Sequence, residues 1–131
     1  MGPDDVELAR VYTADTGSSV SDLTFKSGTG FDVVVEAEAG NAAAGSGQPW
    51  DISIVVRDLH QSHPPTYTDS ANGSLGVAPW SSQKYTHRFA IPAQPTAKQG
   101  HAMEVLAVLT IRVADPDVSF AKSLMFCITK P

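Results

Sequence analysis

From Met103 to Val113 every second residue is apolar: Met103, Val105, Ala107, Leu109, Ile111 and Val113. Successive side chains of a strand point to opposite faces, so this set lines one face of a β-strand of about eleven residues. Its other face carries Glu104, Leu106, Val108, Thr110 and Arg112. A strand with one solvated face is polar on that face. Leu106 and Val108 break the rule in the middle of the strand, and whatever shields them from water bears on function.

The same period of two recurs along the chain, and no window shows a 3.6-residue period. Val6 to Thr13 reads as a first strand, and 17–30, rich in Ser, Gly and Thr, holds at most a short edge piece. Phe31, Val33, Val35, Ala37 and Ala39 face inward against Asp32, Glu36 and Glu38 outward. Trp50, Ile52, Ile54 and Val56 face inward against Asp51, Ser53, Val55 and Arg57. Tyr85, His87, Phe89 and Ile91 alternate with Lys84, Thr86 and Arg88. Gly40–Gln48 is a flexible connector. The stretch 58–82 is irregular, with a short strand near Thr66–Thr68 and a turn at Asn72-Gly73. The strand from 103 turns at Ala114–Asp117, and the chain returns over Val118–Thr129. On the return, Lys122 falls on the inward phase between Phe120 and Leu124, a conflict that a β-bulge or a later strand start repairs.

About seven short strands, turn signals every 8–15 residues and no helix predict an all-β fold. The expected form is a two-sheet antiparallel β-sandwich, immunoglobulin-like, with 1–131 as a single domain and 1–5 as a flexible end. The Cys…Trp…Cys signature of antibody domains is absent. In this arrangement 31–39 and 84–91 share one sheet, and 50–57, 102–113 and 118–129 share the other. The first sheet then presents Asp32, Glu36, Glu38, Lys84, Thr86 and Arg88 to solvent. The second presents Val55, Leu106, Val108, Met125 and Cys127, rimmed by Arg57, Glu104 and Arg112. An apolar patch of this kind marks an interaction surface unless the 17–30 segment or the 58–82 loop folds over it.

Composition narrows the function classes. A net charge of −5 with no Lys/Arg run argues against nucleic acid, and no apolar stretch reaches membrane-helix length. One cysteine, Cys127, excludes an internal disulfide and a multi-cysteine zinc site, and the acidic N-terminus is not a signal peptide, so a cytoplasmic location is expected. Catalytic signatures are missing: there is no Gly-x-Ser-x-Gly elbow, phosphate loop or Cys-x-x-Cys, and the carboxylate pairs Glu36/Glu38 and Asp115/Asp117 sit on strand faces and turns. Cys127 reads as a small apolar residue. His60 and His63 near Asp58 have ligand-like spacing, with His101 or His87 as a conceivable third partner. On an irregular loop the expected reading is two solvated histidines and no metal or cofactor. Tyr67 and Trp80 are candidates for a carbohydrate-binding platform, and Trp50 and Tyr85 read as core. The expected function is a non-enzymatic module that contacts a protein partner or a second copy through the Val55/Leu106/Val108/Met125 face. Ligand binding by the 58–82 loop is the alternative, and a metal-dependent enzyme at His60/His63 comes third.

Overall fold

The computed structural model describes residues 2–60, 65–112 and 117–131. Two sheets pack face to face. The smaller has the order β1–β3–β6, formed by β1 (Val6–Asp15), β3 (Phe31–Ala39) and β6 (Lys84–Ile91). The larger runs β2–β9–β7–β4–β5, from β2 (Thr24–Lys26), β9 (Phe126–Thr129), β7 (Ala102–Ile111), β4 (Pro49–Asp58) and β5 (Tyr67–Ser74), with β8 (Asp117–Lys122) also paired to β7. The only helical pieces among the described residues are one turn, Asn41–Ala44, and a 3-10 turn, Thr96–Lys98. The β-sandwich and the expected grouping of strands into sheets are therefore observed. The sheets are not purely antiparallel, because β2 runs parallel to β9, and the pairing does not by itself confirm an immunoglobulin-like fold.

The alternation dictates the core. Val33, Val35 and Ala37 on β3 meet Ile52, Ile54 and Val56 on β4 and Val105, Ala107 and Leu109 on β7, all essentially buried. Full burial of such a side chain contributes roughly 1.5–3 kcal/mol. Phe25, Phe31 and Phe126 cluster at one end with ring centroids 4.4–5.9 Å apart, which pins the three-residue β2 to the sandwich.

Three local expectations differ from the structure. First, Asn72-Gly73 is not a turn: both lie in β5, which pairs with β4 from Pro49↔Ser74 to Val56↔Tyr67. The cross-strand ladder and the indole of Trp50 packed over Gly73 override the local turn propensity. Second, the return strand is split. Between the pairs Leu106↔Lys122 and Met103↔Phe126, the return chain holds one residue more than β7. That bulge reverses the phase, so Ser119, Ala121 and Ser123 face inward, while Phe120 (67% exposed) and Leu124 (69%) are in solvent. Lys122 is correspondingly exposed. Third, Asp32 is not a solvent residue. It is buried on the outer face of β3, accepts from Arg88 Nε at 3.0 Å and from Gly17 N–H at 3.0 Å, and lies near Val34, Tyr12 and Ala14, which form a small second cluster. Residues 2–5 hydrogen-bond to the 40–43 turn through Pro3 and Asp5 carbonyls.

Candidate functional site

The outer face of the larger sheet is assembled by register. Leu106 lies between Val55 and Lys122, Val108 between Ser53 and Phe120, and Thr110 between Asp51 and Val118. Val55, Leu106 and Val108 are half-buried, as expected for side chains standing on a sheet whose neighbours flank them. Arg57 and Glu104 oppose each other at one end, 3.6 Å apart, and Arg112 is exposed just beyond β7. Met125 (62% exposed) sits in the 123–125 break and not in a strand. Cys127 is on β9, next to β2, away from the Val108 row. Phe120 and Val118 also belong to the face: the bulge that the inward-phase Lys122 calls for is present, and its place between Lys122 and Phe126, which alternation does not fix, sets them outward.

Neither expected cover lies on this face among the described residues. The 17–22 segment crosses the other sheet: Arg88 reaches the carbonyl of Ser18, Tyr12 Oη donates to Ser19 O and Thr13 Oγ1 to Asp22 O. The 67–74 stretch extends the larger sheet at its edge as β5.

A second cluster forms where β4 ends and β7 begins. Asp58 occupies the last inward position of β4, opposite Met103, with its carboxylate only 1% exposed. Oδ1 accepts the backbone N–H of His60 at 2.9 Å, the Asx geometry that reverses the chain after a strand. Oδ2 accepts from Lys98 Nζ and bonds His101 Nδ1, each at 2.8 Å. The His60 and His101 rings stack with centroids 4.5 Å apart. Burial alone would raise the Asp58 pKa. The hydrogen bonds from Lys98, His101 and the His60 amide, with the Lys98 charge, outweigh it and hold the value at about 2. His63 lies outside the described residues. The sequence offers His101 only as a conceivable third ligand without a place, and Lys98 gives no signal there: it stands in a Pro/Gln/Thr stretch without periodicity.

The other candidates separate. Trp80 is fully buried, stacked on Tyr85 at 5.3 Å and edge-on to Trp50 at 5.6 Å. Tyr67 is half-buried at the β5 edge, donating to Asp69 at 3.1 Å. No exposed platform joins Tyr67 and Trp80. His87 is half-buried and bonded through Nδ1 to Tyr85 Oη at 2.6 Å. Burial pushes its pKa down, opposed by the charge of Asp69. No helix among the described residues is long and apolar enough to cross a membrane. No protein-family model matches the chain, and no curated protein resembles it significantly.

Proposed function

We propose that this protein is a non-enzymatic assembly module whose larger sheet docks, through its outer face, onto the same face of a second copy. One observation carries the reading. The adjoining rows Val55–Leu106 and Val108–Phe120 form a continuous apolar surface, and Val118 extends it at its end. A solitary exposed apolar side chain is ordinary, whereas a contiguous group rimmed by polar residues marks a contact surface.

The choice of a second copy rests on charge. The chain carries a net −5, yet the rim of this face holds both signs, Asp51 and Glu104 beside Arg57 and Lys122. An isologous contact sets a patch against itself, and a mixed rim makes that contact free of net like-charge repulsion. Among the described residues, this face has no strongly acidic or basic field to select an oppositely charged partner.

Light scattering coupled to size exclusion tests the reading. The expected result is a concentration-dependent dimer, with Val108→Lys giving a monomer of unchanged circular dichroism. A wild-type chain that stays monomeric into the high-micromolar range refutes self-association. Equal dimerisation by the variant moves the contact to another surface.

A further inference from the structure

We propose that Asp58, His60 and His101 form a binding site for a divalent cation of the zinc class. The three residues come from the end of β4, the turn after it and the residue preceding β7. One ligand atom from each lies within 4.8 Å of the others. Only the strand register brings His101 across to the other two, which are two residues apart in sequence.

Two features fit a cation. First, the donor set is two imidazoles and a carboxylate, which suits zinc, cobalt or nickel and not calcium or magnesium, whose sites are built from oxygen. Second, among the described residues Asp58 Oδ1 accepts the His60 amide alone, leaving acceptor capacity on the side facing the His60 ring, whose Nδ1 is 3.9 Å away and accepts the Ala102 N–H in a long 3.3 Å bond that a cation would displace. Ligand atoms bound at about 2.0–2.2 Å around a tetrahedral ion stand a little over 3 Å apart, so a modest inward shift of the exposed His60 ring closes the gap. The two rings stack at 4.5 Å with planes 17° apart, so one ring must rotate before both nitrogens point at a common ion. His60 is the movable member, with its side chain 52% exposed, and His101 is the more enclosed at 22%.

Lys98 sets the strength of the site. Its ammonium shares Oδ2 with His101, so the ion takes the Oδ1 side and meets a like charge across the carboxylate. Three protein ligands with a nearby cation give a site of micromolar affinity, with solvent completing the coordination. Once bound, the ion ties the end of β4 to the start of β7 beside the ion pair that already joins Asp58 to the 96–98 turn.

Calorimetric titration of the purified full chain with zinc chloride, at pH 7.5 and after chelator treatment, tests the proposal. One saturable site per chain is expected, weakened at least tenfold in both His60→Ala and His101→Ala. Cobalt substitution supplies a second readout: visible bands of a nitrogen/oxygen site without the near-ultraviolet thiolate charge transfer that Cys127 would produce. Circular dichroism confirms that each variant is folded, and His60, being largely exposed, is removable without disturbing the core. Absence of saturable binding, or binding that survives both substitutions in folded protein, overturns the proposal. So does a thiolate signature in the cobalt spectrum.

Discussion

Gly73 shows how a single position can invert a sequence reading. It pairs with Trp50, and a Cβ there would stand 2.9 Å from Trp50 Cζ2 and 3.0 Å from Cε2. Glycine is required by the indole above it and not by a turn. Trp50 is wedged against Trp80 and Tyr85, so it has little room to retreat. Gly73→Ala is expected to destabilise the fold by about 1–3 kcal/mol through overpacking, read as a lower denaturation midpoint with altered tryptophan emission. An unchanged midpoint contradicts the tight contact. His87 sets a pH dependence. Burial lowers its folded pKa below the ordinary 6.5, against the opposing pull of Asp69. Above 6.5 both states are neutral and the contribution is fully present; as pH falls through 6.5 and on through the lower folded value, the unfolded chain binds the proton first and stability is lost. His87→Gln is therefore expected to lose less stability than wild type between pH 7.5 and 5, measured by urea denaturation. Parallel pH profiles for the two proteins would remove His87 as the cause.

Among the elements, the return strand decides the function proposed for the chain. Its bulge is held by Ser123, whose amide donates to Val105 O at 2.9 Å while its Oγ accepts the Val105 N–H at 2.9 Å and donates to Leu124 O. The Oγ stands where a ladder carbonyl would be, so β8 and β9 share one edge of β7 in opposite phases. Ser123→Ala leaves the buried Val105 N–H without that partner and is expected to cost about 1–3 kcal/mol. Hydrogen exchange should localise the loss, with the Val105 amide and β8 opening faster and β4 unaffected. A uniform change across all strands, or none, would show that the serine does not hold the break.

For the whole molecule, the sandwich separates two kinds of apolar residue that adjoin in sequence. Leu109 faces the other sheet and Val108 faces outward. Leu109→Glu puts an unpaired charge in the core and is expected to unfold the domain. Leu106→Glu and Val108→Lys are expected to leave it folded and abolish the dimer. The pair of outcomes is diagnostic: should Leu106→Glu unfold the chain as Leu109→Glu does, the face is covered within one molecule and the assembly reading fails. The affinity is not set by area, since association entropy and side-chain ordering offset much of the apolar gain.

Period-two alternation alone determined the strands at 31–39, 50–57, 84–91 and 102–111 and their inward residues; their division between two sheets came from the assumed strand order. Parity also set Val55, Leu106 and Val108 outward on their own strands, a local property, and the pairing of β4 with β7 joins them on one outer face. Tertiary structure decided whatever depends on pairing across the chain. One extra residue opposite Val105 turned Phe120 outward and Lys122 with it. Trp50 converted Asn72-Gly73 from a turn into a strand. Arg88 and Gly17 buried Asp32 beneath the 17–22 segment. The meeting of Asp58 with Lys98 and His101, some forty residues apart in sequence, follows from the register of β4 on β7. Parity is written in neighbouring residues, whereas register is set by contacts between distant ones.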